Sequence, residues 1–380
     1  MGSNNDETPR QQLVGVRRLV IKLGTNAICD RRGRIELKTI RGLARQISAL
    51  VQGGREVTLV ASGAIGAGVG ELDLAERPRT MPELQAVAAV GQGRLMDAFH
   101  DAFARHRVHV AQVLLTREDF EDRARYLNIR NTLRALHEMG ILAIINENDA
   151  VAIDEIRYGD NDTIAAHVTG MLAAEVLIFL SGVDGVMDGG RRVGVIEHGD
   201  DSAVGLVTAE KSRLGSGGMA SKIAAARLAT SSGEIALIAN SRTPNVVTRI
   251  LAGRDVGTLF VPSGRKLSSR LRWIGQASRP SGRLVVDDGA AAALVEGGKS
   301  LLPAGIAEVA GRFGKGDTVS IVDSAGREIA RGMTNYDSDA LGRIKGLKTH
   351  QIAQVIGEKL YDEAVHRNNM TLLRKEGHSS

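Results

Sequence analysis

The sequence predicts an α/β chain: a mostly parallel open sheet sandwiched by helices, followed by a small, mainly β domain. Three observations carry that reading. From Arg18 to Leu251, short runs rich in Val, Ile and Leu alternate with stretches whose apolar residues recur at helical spacing, the pattern of a parallel sheet covered on both faces. Glycines close several of the apolar runs, and the chain carries 45 Gly against only 3% aromatic residues, which suits many strand-to-helix turns. Beyond Pro262 the composition changes, with no acidic residue between Gly257 and Val286, and from Arg283 the pattern becomes short strands with Gly turns.

The bulk numbers fit this division. A chain of 380 residues has room for two domains, taking roughly 150 residues as typical of one. The 43% hydrophobic and 24% charged content are ordinary for a globular protein. A net charge of +5 is modest and suits anionic small molecules as well as nucleic acid. The single cysteine, Cys29, excludes an internal disulfide and a thiolate metal cluster and fits a reducing cytoplasm. No apolar stretch approaches the ~18 residues of a membrane span. The polar start, Met1 to Gln12, lacks the apolar centre of a signal peptide. Residues 1–15 therefore read as a disordered lead-in.

Taken in order, Arg18 to Leu23 reads as a first strand running into a turn at Gly24-Thr25. Lys22 is its oddity, because a charge in a buried strand is costly unless it is paired or bound to an anion. The alternative is a strand-end lysine that reaches water. Apolar positions Ile40, Leu43, Ala44, Ile47 and Leu50 mark a helix over 37–51 that Gly53-Gly54 stops. The next strand, Val57 to Ser62, runs into Ser62-Gly63-Ala64-Ile65-Gly66-Ala67-Gly68. Small residues there let backbone N–H groups approach an anion at a helix start, and tight packing explains them equally well. A long helix over 82–105 precedes a strand over 109–115, and a helix over 126–139 stops at Gly140 before the strand Leu142 to Ile145.

The acidic stretch that follows is unusual. Residues 145–162 hold four Asp, two Glu and three Asn, at the carboxyl end of a strand, where ligands bind in open α/β sheets. A helix over 163–172 is expected with Asn161 or Asp162 as its N-cap. Val176 to Leu180 is an apolar strand ending at Ser181-Gly182-Val183-Asp184-Gly185, and 188–201 reads as a loop. Leu214 to Lys222 is a second glycine-rich element opening a helix to about Thr230, without a Gly-Lys-Ser/Thr phosphate loop. Its amides and Lys222 suit a polyphosphate; a flexible loop with a solvent-facing lysine is the alternative. A strand over 235–239 and a helix over 244–251 complete the first domain, 16–262. A basic linker is expected over 263–280, the small β domain over 281–368 and a flexible tail over 369–380.

At this point the chain resembles the amino-acid kinase family. The matching stretches are Val20-Ile-Lys-Leu-Gly-Thr25, Ser62-Gly-Ala-Ile65, Gln112-Val-Leu-Leu-Thr116, Ile145-Asn-Glu-Asn-Asp-Ala-Val151, Gly159-Asp-Asn-Asp162 and Gly217-Gly-Met-Ala-Ser-Lys222. Gly305-Ile306, Gly311-Arg-Phe313 and Tyr336-Asp-Ser338 are similar to the PUA domain that many bacterial members carry. The resemblance implies the amino-acid kinase fold and phosphorylation of the γ-carboxylate of L-glutamate by ATP with Mg²⁺, the first step of proline biosynthesis. It implies Lys22, Lys222 and Asp162 as catalytic residues, with Asp162 holding both ammonium groups. It places glutamate on Ser62, Gly63, Ala64, Asn148, Asp149 and Asn161, with Asp149 suited to the ammonium and the Asn161 amide to a carboxylate. It places ATP on Lys22, Gly24, Ser181, Gly182, Gly217, Gly218, Met219 and Lys222, and the Mg²⁺ mostly on phosphates and water. One departure stands out: Ser181-Gly182 occupies the place of a Thr or Ser followed by Asp, with Asp184 as a partial substitute. The family also implies inhibition by proline and a homo-oligomer, dimer or tetramer. RNA binding through the PUA-like domain is the alternative reading, although the basic 265–283 segment has only Trp273 as a stacking aromatic.

Overall fold

The computed structural model describes residues 8–30, 32–152, 160–200, 218–262, 264, 268–357 and 361–373. Contacts divide the chain into two compact units, one of residues up to 119 and 124–266, the other of 120–123 and 267 onward.

The first unit carries strands β1 (Arg18–Leu23), β2 (Glu56–Ala61), β3 (Val110–Leu115), β4 (Leu142–Glu147) and β5 (Val176–Ser181), the short β6 (Met187–Asp188), β7 (Arg191–Arg192) and β8 (Val195–Ile196), then β9 (Ile235–Asn240) and β10 (Thr258–Phe260). Eight of them form one sheet in the order β3-β4-β2-β1-β5-β9-β10-β8. Its six leading strands run parallel, and only the β9–β10 pairing is antiparallel. The order reverses at β1, which has β2 on one side and β5 on the other. That switch point is where an open parallel sheet leaves a crevice at its carboxyl edge. The helices are α1 (Thr25–Ile28), α2 (Leu37–Gln52), α3 (Ala64–Glu71), α4 (Met81–Ala104), α5 (Glu118–Glu121), α6 (Arg123–Glu138), α7 (Asp160–Leu172), α8 (Met219–Ser231) and α9 (Val246–Leu251). A core of Leu19, Ile21, Leu59, Ile144 and Ile178 on the sheet packs under Ile40, Leu43, Ile47, Phe99 and Phe103 on α2 and α4.

Three expectations for this unit change, the first being that 188–201, expected as a loop, carries β7 and β8, the latter pairing with β10 at the edge of the sheet. Residues 8–15 of the expected lead-in are structured: a 3₁₀ turn, Gln11–Leu13, buries Leu13 in the core. Arg10 donates to the carbonyls of Val256, Gly194 and Gly257, each at 2.9 Å, and pairs with Asp255 at 2.9 Å. Helix α7 begins at Asp160, so Asn161 and Asp162 lie inside its first turn rather than at its N-cap. Their side chains bond instead to Asn146 and to Lys22 and Lys222.

The second unit is a five-stranded sheet, β11 (Gly282–Val286), β12 (Ile306–Gly311), β13 (Thr318–Val322), β14 (Glu328–Thr334) and β15 (Val365–Leu372), ordered β12-β11-β13-β14-β15. All its pairings are antiparallel except β11–β13. The segment expected as a linker is part of this unit: α10 (Ser269–Arg272) continues into a π-helical turn, Trp273–Ala277. Trp273 is buried, donates its indole N–H to Phe120 O at 3.0 Å and lies under the Arg123 guanidinium. The expected tail from 369 belongs in part to β15, where Thr371 Oγ1 donates to Leu271 O at 2.8 Å. The basic run thus folds because its apolar residues, Trp273 and Ile274, find a core.

Candidate active site

The site is assembled at the carboxyl edge of β1, β2, β4 and β5. Where each strand ends, a backbone N–H ties it to its neighbour: Ser62 to Leu23 O at 3.0 Å, Gly24 to Leu180 O at 3.1 Å and Asn148 to Leu115 O at 2.8 Å. The first two bonds set the turns after β1, β2 and β5 side by side, the third ties the turn after β4 to the end of β3, and β4 itself lies beside β2. Gly63 follows β2 with φ of 110°, a left-handed conformation that favours glycine, and opens α3. Ala64 is buried behind it.

Lys22 is one residue from the end of β1, paired across to Val60 and Phe179, and only 3% exposed. It does not reach water. Its Nζ is 2.5 Å from Asp162 Oδ1. Asp162, 0% exposed in the first turn of α7, offers its other oxygen to Lys222 Nζ at 3.2 Å. Lys222 is in the first turn of α8 and 6% exposed. Ser221 Oγ donates to the same Asp162 Oδ2 at 2.7 Å. Burial alone raises the Asp162 carboxyl, but the two ammonium groups and these donors outweigh it and hold the group below the ordinary carboxylate range. Burial lowers Lys22 in turn, aided by Lys222 and opposed by Asp162. Two cations thus flank one anion, leaving a net positive charge in a water-poor place suited to a transferring anion.

Across the strand ends, Asp149 is half-buried just after β4. Burial raises its carboxyl to about 6, with Arg77 pulling the other way. A carboxylate short of partners is poised to gain from an ammonium ligand. Asn161 is joined to the end of β4: its Nδ2 donates to Asn146 Oδ1 at 2.9 Å, and Asn146 Nδ2 donates to Gln92 Oε1 at 2.6 Å. Among the described residues no group of three or more His, Cys, Asp or Glu side chains is placed to hold a metal ion. Asp162 has both oxygens engaged by Lys22, Lys222 and Ser221, so it is not free as a ligand.

The sequence-picked residues therefore fall into one neighbourhood. Lys22, Asp162 and Lys222 meet directly, while Gly24, Ser62, Gly63, Ala64, Asn148, Asp149 and Asn161 sit on the adjoining turns. Ser181 ends β5 buried and Gly182 is exposed beside it. Asp184 accepts from Asn240 Nδ2 at 2.9 Å, which ties that turn to the end of β9. Gly218 precedes α8 and Met219 begins it, both half-buried; Gly217 lies outside the described residues. Ser221, Asn146 and Gln92 were not singled out from sequence. Ser221 adjoins Lys222 and Asn146 opens the acidic run, but nothing local marks Gln92, which lies 54 residues before Asn146.

A fold with its carboxyl-edge crevice on a cationic pair belongs with the phosphoryl-transferring α/β proteins, and comparison makes the class definite. The chain belongs to the amino acid kinase family, whose model matches residues 17–240, and a PUA domain model matches 282–356. Several curated relatives carry the same name. The glutamate 5-kinase of Moorella thermoacetica is 46% identical over 371 residues, covering 96% of this chain and 98% of its own. That of Caldanaerobacter subterraneus subsp. tengcongensis is 45% identical over 365 residues, covering 94% and 98%. That of Myxococcus xanthus is 43% identical over 373 residues, covering 96% and 99%.

Proposed function

We propose that this chain transfers the γ-phosphoryl group of ATP to the γ-carboxylate of L-glutamate, forming L-glutamyl 5-phosphate and ADP, the first step of proline biosynthesis. The observation that carries it is the buried Lys22–Asp162–Lys222 cluster, joined to the shared name of the relatives. The nucleophile is a carboxyl that ordinarily titrates at about 4.3, so it is ionised at neutral pH and needs no general base. A γ-carboxylate oxygen attacks the γ-phosphorus as the bond to the β-phosphate oxygen breaks, and ADP leaves with that electron pair. The obstacle is bringing anion to anion, and Lys22 and Lys222 neutralise the charge spread over the phosphoryl oxygens. Asp162 and Ser221 keep the two ammonium groups apart and aimed.

In this reading Asp149 takes the α-ammonium of glutamate, with Ser62, Gly63, Ala64, Asn148 and Asn161 around the rest of the substrate. ATP lies on Gly24, Ser181, Gly182 and the start of α8. Mg²⁺ arrives with ATP as part of the substrate, held by phosphate oxygens and water. Proline, a cyclic relative of glutamate with its own ammonium and carboxylate, competes for the same pocket, and the enzyme works as a cytoplasmic homo-oligomer. The PUA match does not favour RNA binding as the main role. Trp273 is buried within its own unit, so it offers no face for stacking a base.

The test is glutamate-dependent ADP release, with the acyl phosphate trapped by hydroxylamine. Hydroxamate forms with glutamate and not with aspartate. Lys222→Ala and Asp162→Ala each lower kcat by about a hundredfold or more, the scale of losing one charge-stabilising group. Turnover of ATP without a glutamate-dependent hydroxamate would overturn the assignment.

A further inference from the structure

Helix α4 reaches the acidic segment through two glutamines two turns apart. Gln85 Nε2 donates to the Ala152 carbonyl at 3.1 Å, and Gln92 Oε1 accepts from Asn146 Nδ2 at 2.6 Å. The second contact begins a chain whose polarity is set by the backbone. The Glu147 N–H donates to Asn146 Oδ1 at 2.9 Å, and a backbone N–H is only ever a donor. Asn146 therefore keeps its oxygen at that end and turns its Nδ2 to Gln92, which must answer with oxygen. Asn161 meets the same Asn146 Oδ1 at 2.9 Å, so it too must donate. Its own Oδ1 is left as an acceptor. That oxygen is buried and accepts no hydrogen bond among the described residues, on a side chain only 9% exposed.

We propose that Gln92 is a positioning residue that anchors Asn146 in the orientation the Glu147 N–H sets, and with it the atom that Asn161 presents to the substrate. Acting through Asn146, it locks the Asn161 amide with its oxygen available, so Asn161 accepts from the α-ammonium of the substrate instead of donating to a carboxylate. The inference rests on glutamate being the substrate, and it reverses the role expected of Asn161 from sequence. It also assigns the ammonium two acceptors, Asp149 and Asn161, from the two ends of the acidic segment. A buried amide oxygen without a donor is costly, and a ligand N–H relieves that cost. An analogue lacking the ammonium leaves the oxygen unpaired and is rejected accordingly.

The experiment uses the full-length enzyme, with KM for glutamate and for ATP measured in Gln92→Leu and Gln92→Glu. Gln92→Glu keeps an oxygen facing Asn146 Nδ2, and Gln92→Leu removes it at similar size. Expected for Gln92→Leu is a rise of about tenfold or more in KM for glutamate, the cost of one misplaced buried hydrogen bond, with KM for ATP within about twofold. Gln92→Glu stays within about threefold of wild type for both substrates, as a retained acceptor requires. In an Asn161→Ala background, Gln92→Leu adds no more than about twofold, because the two act through one contact. A merely structural role would instead shift both KM values together and in both backgrounds, and that result overturns the proposal. If Gln92→Leu does not fold, Gln92→Asn, one methylene short of Asn146, is measured with the same outcomes. A wild type inactive on glutamate sinks the substrate reading; an active wild type with an unchanged Gln92→Leu sinks the relay alone.

Discussion

At the scale of single residues, the carboxylates of the acidic segment are tuned in opposite directions by their neighbours. Asp162 and Asp149 are both withdrawn from water, which alone raises a carboxyl. Asp162 is overcompensated by Lys22 and Lys222 and ends below its ordinary range; Asp149, with only Arg77 opposing burial, ends at about 6. The consequences for pH differ in sign. The stability Asp162 contributes is present above its ordinary value of 3.8 and is lost as acid protonates the folded state. For Asp149 the folded protein holds a proton that the unfolded chain releases, so its contribution is complete below 3.8 and lost as pH rises through about 6. Asp149 is thus ionised at neutral pH at the expense of stability, ready for a cationic partner. Asp149→Asn should raise the melting temperature near neutral pH by about 2–4 °C, kept small by partial exposure, and lose that advantage near pH 4. The same variant should weaken glutamate binding while leaving KM for ATP alone. In wild type, kcat/KM for glutamate should fall as pH drops below about 6. Melting curves and initial rates across that range check all three.

At the scale of elements, the contact between α3 and α4 shapes the substrate side of the crevice. A Cβ built on Gly91 would stand 1.9 Å from Ala64 O, and one on Gly68 would stand 2.0 Å from Val87 O. Neither neighbour can yield, because both are backbone. The turn Ser62-Gly63-Ala64 is therefore seated directly on α4, the helix that also carries Gln85 and Gln92. Gly91→Ala should destabilise the protein by roughly 1–3 kcal/mol, the range for overpacking. It should also raise KM for glutamate more than KM for ATP, since the displaced turn lies beside Asp149 rather than α8. Thermal unfolding and the two KM values check this, and equal effects on both substrates would contradict it. The helix over Met81–Ala104 was readable from periodicity almost to the residue. The close crossing was not, because a glycine in a helical pattern does not reveal what presses on it.

For the whole molecule, the division into units does not follow the chain. Residues 120–123 belong with the second unit, although they lie in the midst of the first unit's sequence. A fragment beginning near residue 267 therefore lacks the Phe120 carbonyl and the Arg123 cover of Trp273, the chain's one tryptophan. Its fluorescence should be red-shifted and more easily quenched than in the full-length protein, and adding a peptide of residues 117–126 should partly reverse the shift. Fragment emission identical to that of the full chain would show that Trp273 is buried without those residues.

How far the sequence alone reached follows from which forces are local. Strand and helix periods repeat within a few residues, so the parallel α/β sheet, its element order and the mainly β second unit could be read directly. Lys22 and Lys222 stood out from their local settings, and resemblance in motifs carried the family and placed Asp162 between them. Strands β12 and β15 were missed because Ile306–Gly311 has only Ile306 and Val309 as strong strand formers and Val365–Leu372 alternates only weakly. Only the tertiary structure decided that Lys22 is paired rather than reaching water, that Ser221 is a third donor to Asp162, and that Asn161 is joined through Asn146 to Gln92. It also drew Trp273, Ile274 and Ala277 into a core instead of leaving their segment as a linker. Each of these depends on groups brought together from distant parts of the chain, such as the 60 residues between Asp162 and Lys222. Burial there removes competing water, so a pairing that has no local signature becomes the strongest interaction available.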